Sequence, residues 1–382
     1  MERLTDINPA RIAWCADQIG LAPSDMASEL GISANTISRL LDGEGGVTFR
    51  QLRQISKYFG RSVFFFLEST PVRDETAYTP QFRTLANQAP EIAPKVWKII
   101  RQAETQRERY FGLLEELRVS EIPVFEPPDI ADRDVTGSAR VARKWLGIDR
   151  ENSFDTYRES IERVGILVFR SNGYNGQWQV PKESTMLGFS LYQDTCPVIF
   201  VRKQVAEARQ TFTLTHELGH LLLHHKSAID SERDFESDDT DEREANQFAG
   251  AFLVPDAELV LIGTASVPDE PADVDDWLKP IQQRTGASGE VVLRRLLDSG
   301  RVTSDRCRAY CLWKASQAFG QKEGGNRGYC HREPIHMFGD RFVRAVLDGI
   351  STDAISLTKA SRYLDNLKLH DIHALEEYYA SI

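Results

Sequence analysis

Two histidines four residues apart, His216 and His220, with Glu217 beside the first, constrain this chain more than any other feature. At about 100° per residue, four helical residues turn through about 400°, so both imidazoles share one face, about 6 Å apart along the axis. That spacing lets two ring nitrogens reach one Zn²⁺ at tetrahedral angles. Glu217 then stands beside the first ligand, placed to take a proton from an activated water. Phe212, Leu214, Leu218, Leu221 and Leu222 make the rest of the segment apolar, which predicts a buried helix. Two neutral imidazoles and a carboxylate in a buried helix need partners. One metal ion supplies them; a hydrogen-bonded pair of core histidines is the plainer alternative.

A catalytic zinc takes three protein ligands and keeps a fourth position open. Downstream, Glu244 opens EANQFAGAFLVP, a helical pattern marked by Ala245, Phe248, Ala249, Phe252 and Leu253 and stopped by Pro255. Glu244 lies one turn before Phe248, on the face expected to pack inward. Asp241 and Glu242 are nearby acids without that i, i+4 relation, so Glu244 is the expected third ligand. His224 continues the face of His220 if the helix persists. There it would hydrogen-bond an activated water or an oxyanion, or simply end the helix where the macrodipole favours a cation. The sequence leaves these two open. His225 is expected to face solvent, and the other acids between Asp230 and Glu244 read as a solvated run.

At 382 residues the chain has room for two or three domains and a sizeable core without disulfides. Its composition, 41% hydrophobic and 27% charged, excludes a fibrous or largely disordered chain. No run of about eighteen apolar residues occurs, so no membrane span is expected. MERLTDINPA has no apolar stretch behind a basic start, and no signal peptide is read there. The scattered Cys15, Cys196, Cys307, Cys311 and Cys330 fit a reducing cytoplasm. The net charge of −11 argues against general affinity for nucleic acid, not against one small DNA-reading domain.

Residues 8–66 read as short helices joined by short turns. Pro23 starts one helix with Met26, Ala27 and Leu30 inside, and Gly31 stops it as a left-handed cap. Ser33 caps the next, where Ile37, Leu40 and Leu41 recur at helical spacing. Thr48 caps a third, carrying Leu52, Ile55 and Phe59. Two short helices joined through a glycine turn are a helix-turn-helix signature. VFFFL at 63–67 is expected to fill the core from a last helix. Ser69 to Pro90 reads as a linker, followed by a long helix over 94–118. Helices at 135–146 and 153–164 and strands at 165–170, 186–192 and 197–202 describe an α+β domain.

The run ARQTFTLTHELGHLLLHH followed by EREANQFAGAFLVP, with GFSL and PVIFVR upstream, resembles the ImmA/IrrE family of bacterial zinc metallopeptidases over roughly residues 75–262. The resemblance implies a zincin-like domain with one zinc per chain, His216, His220 and Glu244 as ligands and Glu217 as general base. It also implies action on a DNA-binding repressor, in a stress, mobile-element or toxin-antitoxin setting. The first block resembles the Xre/Cro-type helix-turn-helix. In that resemblance Ser33–Leu41 is the recognition helix, with Ala34, Asn35, Ser38 and Arg39 facing the major groove. Asn bonds adenine and Arg bonds guanine there. Pro23 departs from the polar residue expected near a phosphate, and residues 1–66 hold as many acids as bases. A helix bundle for protein contact is the alternative.

The expected architecture is therefore multidomain. An all-α helix-turn-helix domain occupies 1–68, a linker and long helix 69–120, an α+β metallopeptidase domain 121–262, and a mainly helical C-terminal region 263–382. Expected partners are operator DNA and a protein substrate, a repressor or toxin, with pairing as a homodimer left open. The rival reading is an antitoxin-like binding protein with a non-catalytic metal site. A strand near Gly188–Tyr192 is expected to be an edge that holds an extended peptide. In the C-terminal region, Ile355–Leu367 reads as a capped helix or a second helix-turn-helix. Cys307, Cys311, Cys330 and His331 fall outside tight zinc-knuckle spacing.

Overall fold

In this computed structural model, which describes residues 3–4, 6–17, 21–59, 61–70, 94–119, 125–130, 134–149, 153–172, 176–231, 239–262, 267–317 and 330–381, the chain divides into two units. One is Met1–Gln106 with Val180–Ser184; the other is Arg107–Gln179 with Thr185–Ile382. Most of the expected linker, from residue 71 onward, lies outside the described residues.

The first unit holds α1 (Pro9–Asp17), α2 (Pro23–Leu30), α3 (Ala34–Leu41) and α4 (Phe49–Phe59), with a short antiparallel pair β1 (Arg3–Leu4) and β2 (Val47–Thr48). Pro23 opens α2, Gly31 closes it at φ 61°, and Ser33 caps α3 by accepting from the Thr36 amide. Thr48 and Gln51 cap α4 reciprocally: the Thr48 hydroxyl accepts from the Gln51 amide, and Gln51 Oε1 accepts from the Thr48 amide. Met26, Ile37, Leu40, Leu52, Ile55 and Phe59 are buried, as their helical spacing requires. The VFFFL run corrects the expectation of a core-filling helix. It is a single 3-10 turn, Phe64–Phe66, with Phe66 buried and Phe64 77% exposed. Three residues per turn send three consecutive rings in different directions, so they cannot all face one core.

The helix α5 (Pro94–Glu116) ends in the second unit. There α6 (Val135–Leu146) and α7 (Phe154–Arg163) lead into a sheet of β3 (Leu167–Arg170), β4 (Met186–Leu191), β5 (Val198–Val201) and β6 (Ala228–Ser231), ordered β3-β5-β4-β6. β3 and β5 are parallel, and β4 is antiparallel to both its neighbours. Every residue of β3, β4 and β5 is buried, which explains their nearly unbroken apolar runs. Two expectations are corrected here. β4 is paired on both sides and cannot accept a peptide strand; the sheet's edges among the described residues are β3 and β6. Asp230, read as part of a solvated acidic run, sits on β6 and is only 2% exposed.

The motif helix α8 (Glu207–Gly219) continues as a π-turn over His220–His224, and α9 (Thr240–Leu253) packs beside it. Next come α10 (Asp256–Leu261), α11 (Pro271–Thr285), α12 (Gly289–Asp298) and α13 (Ser304–Ser316). Val274, Leu278, Leu293, Leu296 and Tyr310 from these helices share one apolar core with Phe212, Leu218, Phe248 and Phe252. The core therefore continues through residue 262, where a boundary was expected. The chain closes with α14 (Glu333–Ser351), α15 (Leu357–Tyr363) and α16 (Leu369–Ala380). Ser356 caps α15 by accepting from the Lys359 amide, and Ala360 and Leu364 are buried. Among the described residues no helix is long and apolar enough to cross a membrane.

Candidate metal centre

α8 is buried from Gln210 to Gly219, so each polar group on it must be satisfied locally or face a site. Thr211 and Thr215 solve this within the helix, donating to the carbonyls of Glu207 and Thr211 at 3.1 Å each. His216 and His220 instead turn towards each other, with their Nε2 atoms 3.0 Å apart. Two glycines bring the surroundings this close. A Cβ on Gly219 would lie 3.1 Å from the Phe248 ring and 3.4 Å from the Ala245 Cα, so glycine lets α9 approach. A Cβ on Gly188 of β4 would meet the Thr213 methyl at 2.5 Å, the Phe200 carbonyl at 2.8 Å and Glu217 Oε1 at 3.0 Å.

The acid that α9 delivers is Glu242. Its Oε2 lies 3.2 Å from His216 Nε2 and its Oε1 3.3 Å from His220 Nε2. Among the described residues these three side chains are the one group of His, Cys, Asp or Glu close enough to share an ion. The expectation of Glu244 is corrected: its side chain is 42% exposed and reaches His224 Nε2 at 3.2 Å. The i, i+4 relation to Phe248 selected the wrong stripe of α9. The stripe facing the histidines runs through Glu242 and Asn246, whose Oδ1 lies 3.1 Å from His216 Nδ1. A Glu-x-x-x-Asn spacing, one helical turn, was the available signal. Cys307 and Cys311 on α13 and the exposed Cys330 join no such group.

The donor set suits a divalent cation. Ligands about 2.0–2.2 Å from a tetrahedral zinc stand about 3.3 Å from one another, close to the 3.0, 3.2 and 3.3 Å separations here. Charge agrees. Burial would push His216 down, but Asp230, the hydrogen bond with Glu242 and Glu217 outweigh it and lift His216 to about 9. Burial drives Glu217 well above the usual carboxylate range against the attraction of His216, and Asp230 adds to the rise. Burial would raise Glu242 too, but its hydrogen bonds with the two imidazoles hold it at about 2. Burial lowers His220, against its contact with Glu242. The site thus gathers two imidazoles and the ionised Glu242 carboxylate, with Glu217 and Asp230 close by, a donor set that a cation satisfies. Both Glu217 oxygens lack a hydrogen bond among the described residues.

Residues 161–297 match the Peptidase_M78 family, described as the IrrE N-terminal-like domain. The matched segment holds the four strands β3 to β6, the motif helix, Glu242 and Asn246. The "Uncharacterized immunity region protein 2" of Bacillus phage phi105 is 36% identical over 81 residues, 21% of this chain and 50% of the relative. The chain therefore spans about half the length of that curated relative. No solved structure matches.

In the matched segment and just beyond it, a cavity of about 1200 Å³ adjoins the centre through Thr213 and Asn246. Leu187 and Phe212 form part of one wall; Glu290, Arg294, Cys307 and Cys311 of α12 and α13 form the other. The C-terminal helices thus complete a cleft that sequence reasoning left without a role. His224 lies off the metal face, with Nδ1 3.1 Å from His220 Nδ1. His225 ends the π-turn at φ 51° and stacks on Tyr192. In the first unit, Ala34, Asn35, Ser38 and Arg39 are all exposed on α3, and Arg39 Nη2 donates to the Glu44 carbonyl at 3.1 Å.

Proposed function

We propose that this chain is a zinc-dependent metallopeptidase that cleaves a regulatory protein, joined to a helical unit that reads operator DNA. The observation that carries the reading is the buried Glu217 carboxylate, without a hydrogen bond among the described residues, beside the His216, His220 and Glu242 cluster. A purely structural site has no use for that group. The Peptidase_M78 match and the phage immunity-region relative fit a regulatory metallopeptidase.

Zinc, when bound, supplies a Lewis acid that polarises a peptide carbonyl and acidifies water. Glu217 accepts the proton released as water adds to the carbonyl carbon, and passes it to the leaving amine. Burial, with Asp230 adding to it, raises the carboxylate's affinity for that proton. Asn246 orients His216, and Gly188 leaves room for the Glu217 carboxylate. The β6 edge supplies backbone groups to an extended substrate, and the cavity beside Asn246 takes its side chains.

The DNA role is supported by the capped α3 helix with Asn35, Ser38 and Arg39 exposed along it. One variant tests the enzyme reading. Glu217→Gln keeps the size of the side chain but cannot take a proton. It should retain zinc and lower cleavage of the regulatory target by about 10²–10⁴-fold, read as target integrity on a blot. A target released without cleavage by both wild type and variant would show instead that the chain acts by binding, as an antitoxin does.

A further inference from the structure

We infer that His224 and Glu244 are a positioning pair that sets the tautomer of His220 and so presents its Nε2 lone pair to the metal. The inference rests on the zinc reading above. His220 Nδ1 lies 3.1 Å from His224 Nδ1, and His224 Nε2 lies 3.2 Å from Glu244 Oε2. An ionised carboxylate only accepts, so His224 Nε2 carries the proton in that contact. With its other nitrogen bare, His224 accepts at Nδ1, and His220 Nδ1–H is the donor. His220 Nε2 is then left with a lone pair, and this is the nitrogen that faces His216 Nε2 at 3.0 Å and Glu242 Oε1 at 3.3 Å. If His224 held both protons, His220 would accept at Nδ1 and carry its own proton on Nε2, which closes that nitrogen to a metal. Metal binding selects the first arrangement.

The π-turn makes the pair possible. An α-helix would carry residue 224 about 40° around the axis from residue 220, whereas the wider i→i+5 turn here brings the two rings to 5.2 Å between centroids, tilted by 56°. His224 is 6% exposed on its side chain, while Glu244 enters from the rim at 42%. The two zinc histidines are thus held differently. His216 leans on the neutral Asn246 amide, and His220 on a carboxylate through a second imidazole.

The test uses the full chain and zinc alone. Zinc affinity is measured by chelator competition for wild type, His224→Ala, Glu244→Ala and Glu244→Gln. Both alanine variants should bind zinc about 10–100-fold more weakly, with metal-free melting temperatures unchanged. Glu244→Gln keeps an acceptor oxygen and should recover most of the loss. In zinc-loaded wild type, ¹⁵N imidazole spectra should place protons on His220 Nδ1 and His224 Nε2, a readout that needs no variant. A proton on His220 Nε2, or alanine variants that bind zinc as tightly as wild type, would overturn the pair. Zinc bound at full affinity by His216→Ala would overturn the site itself, and this inference with it.

Discussion

Asn246 Oδ1 lies 3.1 Å from His216 Nδ1, and one helical turn earlier Glu242 Oε2 lies 3.2 Å from the same ring's Nε2. One helix therefore engages both nitrogens of one imidazole, Asn246 at Nδ1 and Glu242 at Nε2. Glu244 is turned about 200° from Glu242 around that helix, so the two acids cannot both face the His216–His220 pair. Glu242→Ala should lose the bound zinc, and Glu244→Ala should still take up one per chain at excess metal. Mass spectrometry of the metal-loaded protein separates them. A full zinc complement in Glu242→Ala would refute the assignment.

Zinc affinity should rise with pH. His216, at about 9 without metal, keeps its proton through neutrality, and zinc must displace it. Because the pKa is raised, the proton competes below 9 and stops competing above. The expected slope is about one decade of affinity per pH unit between 7 and 9, flattening above 9, with about one proton released per zinc at pH 7.5. Calorimetry in buffers of different ionisation enthalpy counts that proton. A flat profile over the same range would contradict a protonated His216.

Gly188→Ala should damage both stability and chemistry. Its methyl would meet a backbone carbonyl at 2.8 Å and the Thr213 methyl at 2.5 Å, neither of which is the free end of a flexible chain. Overpacking of this kind costs about 1–3 kcal/mol. The melting temperature should fall by about 2–12 °C, and cleavage should fall further because Glu217 is displaced. Thermal melts and a peptide assay on the same preparation report the two effects.

Binding of the chain to promoter DNA from its own locus should weaken steeply with salt. Arg39→Ala should cost about 1–3 kcal/mol if the guanidinium leaves the Glu44 carbonyl for a guanine. Mobility shifts at two salt concentrations measure both terms. Equal binding by wild type and an Asn35→Ala, Arg39→Ala double variant would remove α3 from the interface.

The residues of α8 determined much of this protein by themselves. That His216 and His220 meet on one face of an apolar helix, with Glu217 beside them, was legible there, because the helical repeat alone decides which side chains share a face. Caps at Ser33 and Gly31, and the apolar runs of β3 to β5, were legible for the same reason: each depends on neighbours in the chain. The third acid depended on something else. Glu242 and Glu244 differ by a rotation of α9 about its own axis, and that rotation is set where Ala245 and Phe248 close on Gly219. Tertiary structure likewise moved Asp230 from an apparent solvent loop to a buried strand opposite Gly188, and turned His224 from the metal face to the flank of His220. It also drew the C-terminal helices into one core with the motif helix. Local periodicity says which residues lie together on an element; only packing between elements decides which face meets which, since that choice is made by close contacts between residues far apart in the chain.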